Sequence, residues 1–530
     1  MYNTTSNVAA LDRTASRMTC LGEEAGTVRT ENRQGDILLL PSPSNDADDP
    51  LNWSKARKWW ITCVVCAAVF CCNFTTAGPT IAIVQTAMDF EVMPAKAAYL
   101  FTSAALVQGL SMLWWAPMCA KWGRRPVYVF SFVLYTIFAF ASGACKTWSQ
   151  QLACRIIMAA ASGAGEVLGP LTIADIWFLH ERTLPISLYN VFLSVGVGLA
   201  LFIDGWITAG SGWRTIYWVS GAIIGLVTIA VIFSFPETNY RRGPQPTVTL
   251  TQKRVLDHSK KQTYMQSLSV LPKQTWTHDS WTMLFLRPIA LIAYPAVAWT
   301  ALVFAVTIGA IVSVTSNVAI AFGQTYQFGP GLTGSCFIAA VIGSLLALLG
   351  GWATDKYSTR RTHDNGGIRE PEMRLLPILP ALITTPLSLV LYGVGIQHGL
   401  HWICPTIGLA LINFSAVWAT TNAMVYMIDC LKPLAEESVT SVLAYKAAFG
   451  FLLSFYTNPW IALMGYQNMF GTFAGISSFC LALVFIFMIW GKPIRKNALQ
   501  WRLIQKLKWH ADRDDIVIED EDETPVRSLS

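Results

Sequence analysis

Apolar residues along this chain are gathered into twelve long runs, separated by short polar turns, with one long interruption near the middle. The runs extend over about Trp59–Val84, Ala97–Pro117, Val127–Ala144, Leu152–Phe178, Ile186–Ile207 and Thr215–Phe235, and then Pro288–Val314, Leu332–Ala353, Leu375–Gly395, Ile403–Met427, Val439–Met464 and Met469–Trp490. Each is close to the roughly 20 residues that a helix needs to cross about 30 Å of hydrocarbon. The pattern predicts an all-α membrane protein with twelve transmembrane helices. Its expected divisions are a disordered N-terminus at 1–58, six helices over 59–235, a central polar loop at 236–287, six more helices over 288–490 and a polar tail at 491–530.

Composition agrees, with 53% hydrophobic and only 13% charged residues over 530 positions, against about 25% charged in soluble domains. The excess of base, 38 Lys and Arg against 32 Asp and Glu, does not point to nucleic acid, because these residues lie in the loops. Counted on alternate loops they are strongly asymmetric. One side holds eighteen, among them Lys121, Arg124, Arg125, Arg182 and Lys432; the other holds only Lys96, Lys146 and Arg214. Positive charge stays on the cytoplasmic side, so both termini are expected inside and the chain is expected in the cell membrane. The twelve cysteines fall mostly within apolar runs and read as small hydrophobes. No spacing suggests a metal site, a cofactor or a nucleotide-binding loop.

The two halves echo one another. The turn after the second run reads Ala116-Pro117-Met118-Cys119-Ala120-Lys121-Trp122-Gly123-Arg124-Arg125; its counterpart begins Gly351-Trp352-Ala353-Thr354-Asp355-Lys356 and carries Arg360-Arg361. Such duplication is common in secondary transporters. These turns resemble those of the major facilitator superfamily. DPLNWS at Asp49–Ser54, GRRPVY at Gly123–Tyr128, Gly165–Arg182, Gly212-Trp213-Arg214, FPET at Phe235–Thr238 and NGGIREPEMRL at Asn365–Leu375 resemble its fungal drug:proton antiporter group, which includes polyamine, organic-cation and toxin transporters. The resemblance implies two pseudo-symmetric six-helix halves and proton-coupled export of a drug, toxin or metabolite by alternating access. It leaves open uptake of polyamines or other organic cations, and a receptor that no longer moves solute. It also implies that Gly123, Arg124, Arg125 and Asp355 form latches between the halves. Where the family has Gly and an acid in the first turn, this chain has Ala116 and Ala120, which would weaken that latch or move it to the second. The Gly-Pro signature of the fifth helix is also lost around Gly196–Gly205.

Intramembrane polar groups are the candidates for the mechanism, because a charge at bilayer depth costs about 2.5–3.5 kcal/mol on insertion scales. Glu166 lies among Ala161, Gly163, Gly165 and Gly169, a spacing of small residues that brings helices close. At 1.5 Å per residue it lies about 16 Å from Arg155 along the fourth helix, near the expected midplane. It is expected to bind a proton or an organic cation in competition. Arg155 matches the arginine that the family associates with proton handling. Asp204, at comparable depth on the fifth helix, is a candidate partner for it. Asn73, Asn190, Asn422 and Tyr445 are candidate solute contacts. Lys446 reads as a long side chain reaching back to the interface. The implied partners are a small organic solute, protons and lipid; the chain is read as a monomer that is not an enzyme and uses no nucleic acid.

Overall fold

The computed structural model describes residues 27–29, 38–240, 242, 267–269, 276–277, 279–431 and 434–501. The disorder expected over 1–26 and 30–37, most of the central loop, Lys432 and the tail beyond Trp501 lie outside the described residues, whereas Val28–Arg29 forms a short strand antiparallel to Ile368–Arg369. Disorder expected up to Lys58 is not what Leu38–Lys58 shows. Asp49 is fully buried, caps the turn Pro50–Asn52 and takes Arg242 at 3.0 Å, and the first helix already begins at Lys55, capped by Ser54.

The first half consists of α1 (Lys55–Asp89, kinked through a 3-10 turn at Gly78–Ala82), α2 (Pro94–Trp122), α3 (Arg124–Ala144), α4 (Trp148–Ile176), α5 (Thr183–Ser211) and α6 (Trp213–Ser234). A short helix, Trp281–Leu291, precedes the second half: α7 (Pro295–Tyr326), α8 (Pro330–Asp364, in three segments), α9 (Leu379–Gln397) and α10 (Ile403–Cys430). The last two apolar runs lie on one continuous helical stretch, Ala435–Ala498, so that eleven helices are long and apolar enough to cross a membrane among the described residues. Gly465 divides that stretch at φ 79°, ψ 166°, a conformation that other residues rarely adopt. The freed Tyr466 N–H donates to Gln397 Oε1 at 2.9 Å. α11 (435–464) and α12 (466–499) are therefore two passes, and twelve membrane-spanning helices result among the described residues. Gly123, at φ 96°, does the same between α2 and α3, where it turns the chain in a single residue.

The halves meet along α2 against α11 and α5 against α8, where small residues let the backbones touch. A Cβ on Gly109 would stand 2.1 Å from Ala447 Cβ, and one on Gly334 would stand 2.5 Å from Leu201 O. Buried hydrogen bonds cross the same seam. Asn190 Nδ2 donates to Thr421 Oγ1 at 3.1 Å, Ser194 to Asn413 Oδ1 at 2.7 Å and Ser344 to Ser194 at 2.8 Å. In low dielectric such bonds have no water to replace them, which keeps the register of α5 against α8 and α10.

Candidate functional site

The fourth helix starts with a capping box, Thr147 with Gln150, and then carries its small residues inward. Gly163 faces Ser111 of α2, Gly165 faces Cys72 of α1 and Phe132 of α3, and Gly169 faces the Tyr189 ring of α5. Glu166 thus lies at the centre of the first half, 2% exposed. Its Oε2 accepts from Gln108 Nε2 at 2.8 Å, and its main-chain oxygen accepts from the Tyr189 hydroxyl at 2.9 Å. Gln108 is itself fixed, because its Oε1 accepts from Thr76 Oγ1 at 2.7 Å. That bond also assigns which end of the amide points at the carboxylate.

The other carboxylate oxygen, Oε1, is paired with Lys446 Nζ of α11. The reading of Lys446 as a lysine reaching back to the interface is overturned. Its side chain is 7% exposed and directed across the seam between the halves. Depth explains the pairing. Glu166 stands ten residues from the end of α4 and Lys446 eleven from the start of α11, so both lie about 15–16 Å from the end of the molecule bearing the basic turns. Buried charges survive only when they are paired and hydrogen-bonded, and this pair meets that condition with one partner from each half.

The remaining candidates are distributed differently. Asn190 bridges the halves, as above. Asn73 Nδ2 turns back to Val69 O at 3.0 Å and Asn422 Nδ2 to Trp418 O at 2.9 Å, each within its own helix. Tyr445 is 38% exposed, about 100° around α11 from Lys446. Arg155 and Asp204 are both fully buried, yet no ion pair joins them. Arg155 donates from Nη1 to Thr75 O at 2.7 Å and from Nε to Leu100 O at 3.3 Å, and its guanidinium lies 5.6 Å from the Phe101 ring centroid. Both carboxylate oxygens of Asp204 and Arg155 Nη2 have no hydrogen-bond partner among the described residues. The carboxylate lies against Gly78, where a Cβ would come within 1.8 Å of Oδ2. The kink of α1 is what makes room for it.

At the end with the basic turns, two clusters hold the halves together. Arg124, 1% exposed, places Nε 3.0 Å from Asp175 Oδ2 at the end of α4 and pairs through Nη2 with Glu436 at the start of α11. Its neighbour Arg125 donates instead to Phe235 O and to Ile232 O and Leu268 O, the latter two at 2.8 Å. Glu237 accepts from the main-chain N–H groups of Arg124 (2.9 Å) and Arg125 (3.2 Å), which caps α3. Burial raises the Glu237 carboxyl above its ordinary range despite these donors. In the second cluster Arg374 places Nε 2.9 Å from Asp429 Oδ2 at the end of α10, and its Nη1 donates to Thr183 of α5 at 3.0 Å. Asp355 faces the same Thr183 hydroxyl. Arg360 and Arg361, the sequence counterparts of Arg124 and Arg125, are exposed on the continuing α8 helix and take no part. Arg374, Asp429, Asp175, Glu436 and Gln108 were not singled out from sequence. Asp175 and Asp429 could have been, since each stands near the end of the fourth helix of its half.

Twelve helices in two interlocked halves, with a charge pair buried between them, define a polytopic membrane transporter. A family model described as the Major Facilitator Superfamily matches residues 63–445, and the chain belongs to that family; it is a secondary transporter, not an enzyme. The chain is similar to the MFS transporter cpaT of Aspergillus oryzae (27% identity over 468 residues, covering 86% of this chain and 90% of that one). It is also similar to the efflux pump radE of Floropilus chiversii (24% over 473; 87% and 86%) and to the multidrug transporter TPO1_1 of Candida glabrata (25% over 466; 86% and 79%). Among solved structures, the proton:xylose symporter XylE (TM-score 0.58, 12% identity, 82% and 97% covered) and the human organic anion transporter MFSD10 (TM-score 0.54, 15% identity, 81% and 99% covered) share the fold.

Proposed function

We propose that this protein exports an organic compound in exchange for protons by alternating access, with the Glu166–Lys446 pair as the coupling element. That pair carries the reading: a carboxylate and an ammonium, one from each half, face each other at bilayer depth in a family of transporters. Relatives named as efflux pumps and a multidrug transporter support export. Separating the halves at this depth means unpairing two buried charges, and leaving one uncompensated costs on the order of 3–5 kcal/mol. Titration of the pair, or a solute that replaces one member, removes that cost and licenses the movement. The two basic-end clusters act as latches that close one side while the other opens.

The test is Glu166→Gln, which keeps shape and hydrogen bonding but cannot titrate. In reconstituted vesicles the variant is expected to insert normally, to lose solute transport driven by a pH gradient, and to lose the pH dependence of solute exchange. Wild-type rates with an unchanged pH profile would refute the coupling role. The asymmetry of Lys and Arg further supports a cell-membrane protein with both termini cytoplasmic. An impermeant thiol reagent should then label a cysteine placed at Gln150 in intact cells, and one placed at Lys356 only after permeabilisation; the reverse pattern inverts the orientation.

A further inference from the structure

We infer that Cys145 and Cys154 are joined by a disulfide bond in the mature protein, a covalent staple between the outer end of α3 and the first turns of α4. This rests on the orientation proposed above, in which the turn between these helices faces outward.

The geometry starts from a short hairpin. α3 ends at Ala144 and α4 begins at Trp148, so only Cys145, Lys146 and Thr147 make the turn. Cys145 closes α3 in extended backbone, φ −66° and ψ 135°, and the capping box of Thr147 and Gln150 fixes where α4 starts. Gly143 faces the Trp218 ring of α6, where a Cβ would stand 2.9 Å from Nε1, so the end of α3 is held from its other side as well. These constraints bring Cys145 Sγ to 3.7 Å from Cys154 Sγ, nine residues further on. Two sulfurs at that distance touch. Rotation about the Cα–Cβ bonds has only to shorten the gap to the roughly 2.0 Å of a disulfide. Other cysteines are placed against different atoms. The Cys72 thiol donates to Ser162 O at 3.0 Å, the Cys404 thiol donates to Leu391 O at 3.6 Å, and Cys119 Sγ accepts from Arg124 Nη1 at 3.0 Å.

Compartment and access supply the second argument. The turn carries Lys146, one of the three basic residues on the base-poor side that the charge asymmetry places outside. Thiols on that side are exposed to an oxidising compartment, where disulfides form and persist; Cys119, beside Arg124 at the basic end, is not. Cys145 is buried and Cys154 half-buried, while Ala144, Lys146, Thr147 and Ala153 around them are exposed. The oxidant is a disulfide-bearing carrier of that compartment. The Cys154 thiolate, the more accessible of the two, attacks one carrier sulfur, and the other carrier sulfur leaves and takes up a proton. Cys145 then attacks Cys154 Sγ in the mixed disulfide, which releases the second carrier thiol. The two cysteines have lost two electrons and two protons, and the carrier disulfide has become two thiols. Both cysteines belong to the first half, so the bond does not cross the seam and leaves the halves free to separate. It fixes the backbone one residue before Arg155, whose guanidinium holds the carbonyls of Thr75 on α1 and Leu100 on α2.

Trypsin can read the bond directly. It cuts after Lys146 and after Arg155, which puts the cysteines on different peptides, one ending at Lys146 and the other running from Thr147 to Arg155. The full-length protein is made in a eukaryotic membrane, the cells are quenched in acid, and free thiols are alkylated with N-ethylmaleimide in denaturant before digestion without reductant. In most molecules the two peptides are expected as one species, about 2 Da lighter than their sum, that separates when a phosphine reductant is added. Both peptides carrying the maleimide in most molecules would overturn the inference. Thermal unfolding of the purified protein gives a second readout. Reductant should lower the melting temperature of the wild type and leave that of Cys154→Ala unchanged. Cys145→Ala, Cys154→Ala and the double variant should melt together, because each removes the same bond. An equal shift by reductant in Cys154→Ala, or a double variant that loses the sum of the single losses, would rule out the staple. The orientation is tested apart, by the cysteine placed at Lys356. Alkylated Cys145 and Cys154 with Lys356 labelled only after permeabilisation would sink this inference and keep the orientation; a linked pair with Lys356 labelled in intact cells would sink the orientation and keep the bond.

Discussion

The two clusters at the basic end are copies of one arrangement, and they differ in where the bridging acid comes from. In each, an arginine buried to 1% exposure binds an aspartate near the end of the fourth helix of its own half: Arg124 with Asp175, Arg374 with Asp429. In the second copy the acid of the turn, Asp355, is present, and the link to the other half runs through the neutral hydroxyl of Thr183. Gly351 allows the approach, since a Cβ there would stand 2.3 Å from Ser187 Oγ of α5. In the first copy the acid of the turn is replaced by Ala120, and the other half supplies a carboxylate of its own, Glu436. The acid that the first turn lacks is therefore matched by one from the other half, not by a move to the second turn. The requirement is for negative charge around a buried guanidinium, and the side of the seam that provides it is free to change. Exposure differs as well: Asp429 is 4% exposed, whereas Asp175 and Glu436 are 23% and 28% exposed.

That difference in burial ranks the expected effects. Arg374→Ala strands Asp429 without water and should cost about 3–5 kcal/mol. Arg124→Ala leaves two partly hydrated acids and should cost less, about 2–3 kcal/mol, below that range because water reaches them. Thermal unfolding of both variants in the same detergent checks the order; a larger loss for Arg124→Ala would break the comparison. A smaller effect isolates the relocated acid. Glu436→Gln should cost no more than about 1 kcal/mol of stability, given its exposure, but should weaken closure at the basic end. Faster thiol labelling of a cysteine introduced on that side of the seam would report it. Adding Ala120→Asp should restore the slower labelling, because it returns the acid to its turn. A double variant labelled as fast as the single would show that Glu436 does not replace the turn acid.

The smallest effect concerns a cap that the copies do not share. α3 begins on Glu237, whereas α9 begins at Leu379 without a side-chain cap. A carboxyl raised by burial holds its proton in the folded state to higher pH than in the unfolded chain. Its contribution is present below the reference value of 4.5 and is lost as pH rises through the folded-state value. The melting temperature of the wild type should therefore fall relative to that of Glu237→Gln as pH rises from about 4 toward neutrality. Parallel curves for the two proteins would remove Glu237 as the cause.

Hydropathy and charge alone determined the helical class and the twelve passes with their central interruption, and drew attention to Glu166 and the basic turns. These follow from local rules: apolar length sets a span, and a charge within it has no cheap explanation. The α11–α12 boundary was legible in the same way, at Gly465 between two runs, although helix length and composition merge them. What the chain order could not reveal is pairing. Lys446 is 280 residues from Glu166, and whether a lysine side chain reaches back to the interface or across a seam depends on what stands opposite, which only the packing of α2 and α4 on α11 decides. Arg374 was hidden for a similar reason: α8 continues through the turn where its arginines were expected, leaving Arg360 and Arg361 outside and bringing a later arginine to Asp429. Arg155 and Asp204 mark the converse limit. Similar depth suggested a pair, but the kink of α1 at Gly78 and the carbonyls of Thr75 and Leu100 take those positions instead. Sequence determines which charges must be accommodated in the membrane. Tertiary structure decides with which partner, because in low dielectric a contact of a few ångströms outweighs any separation along the chain.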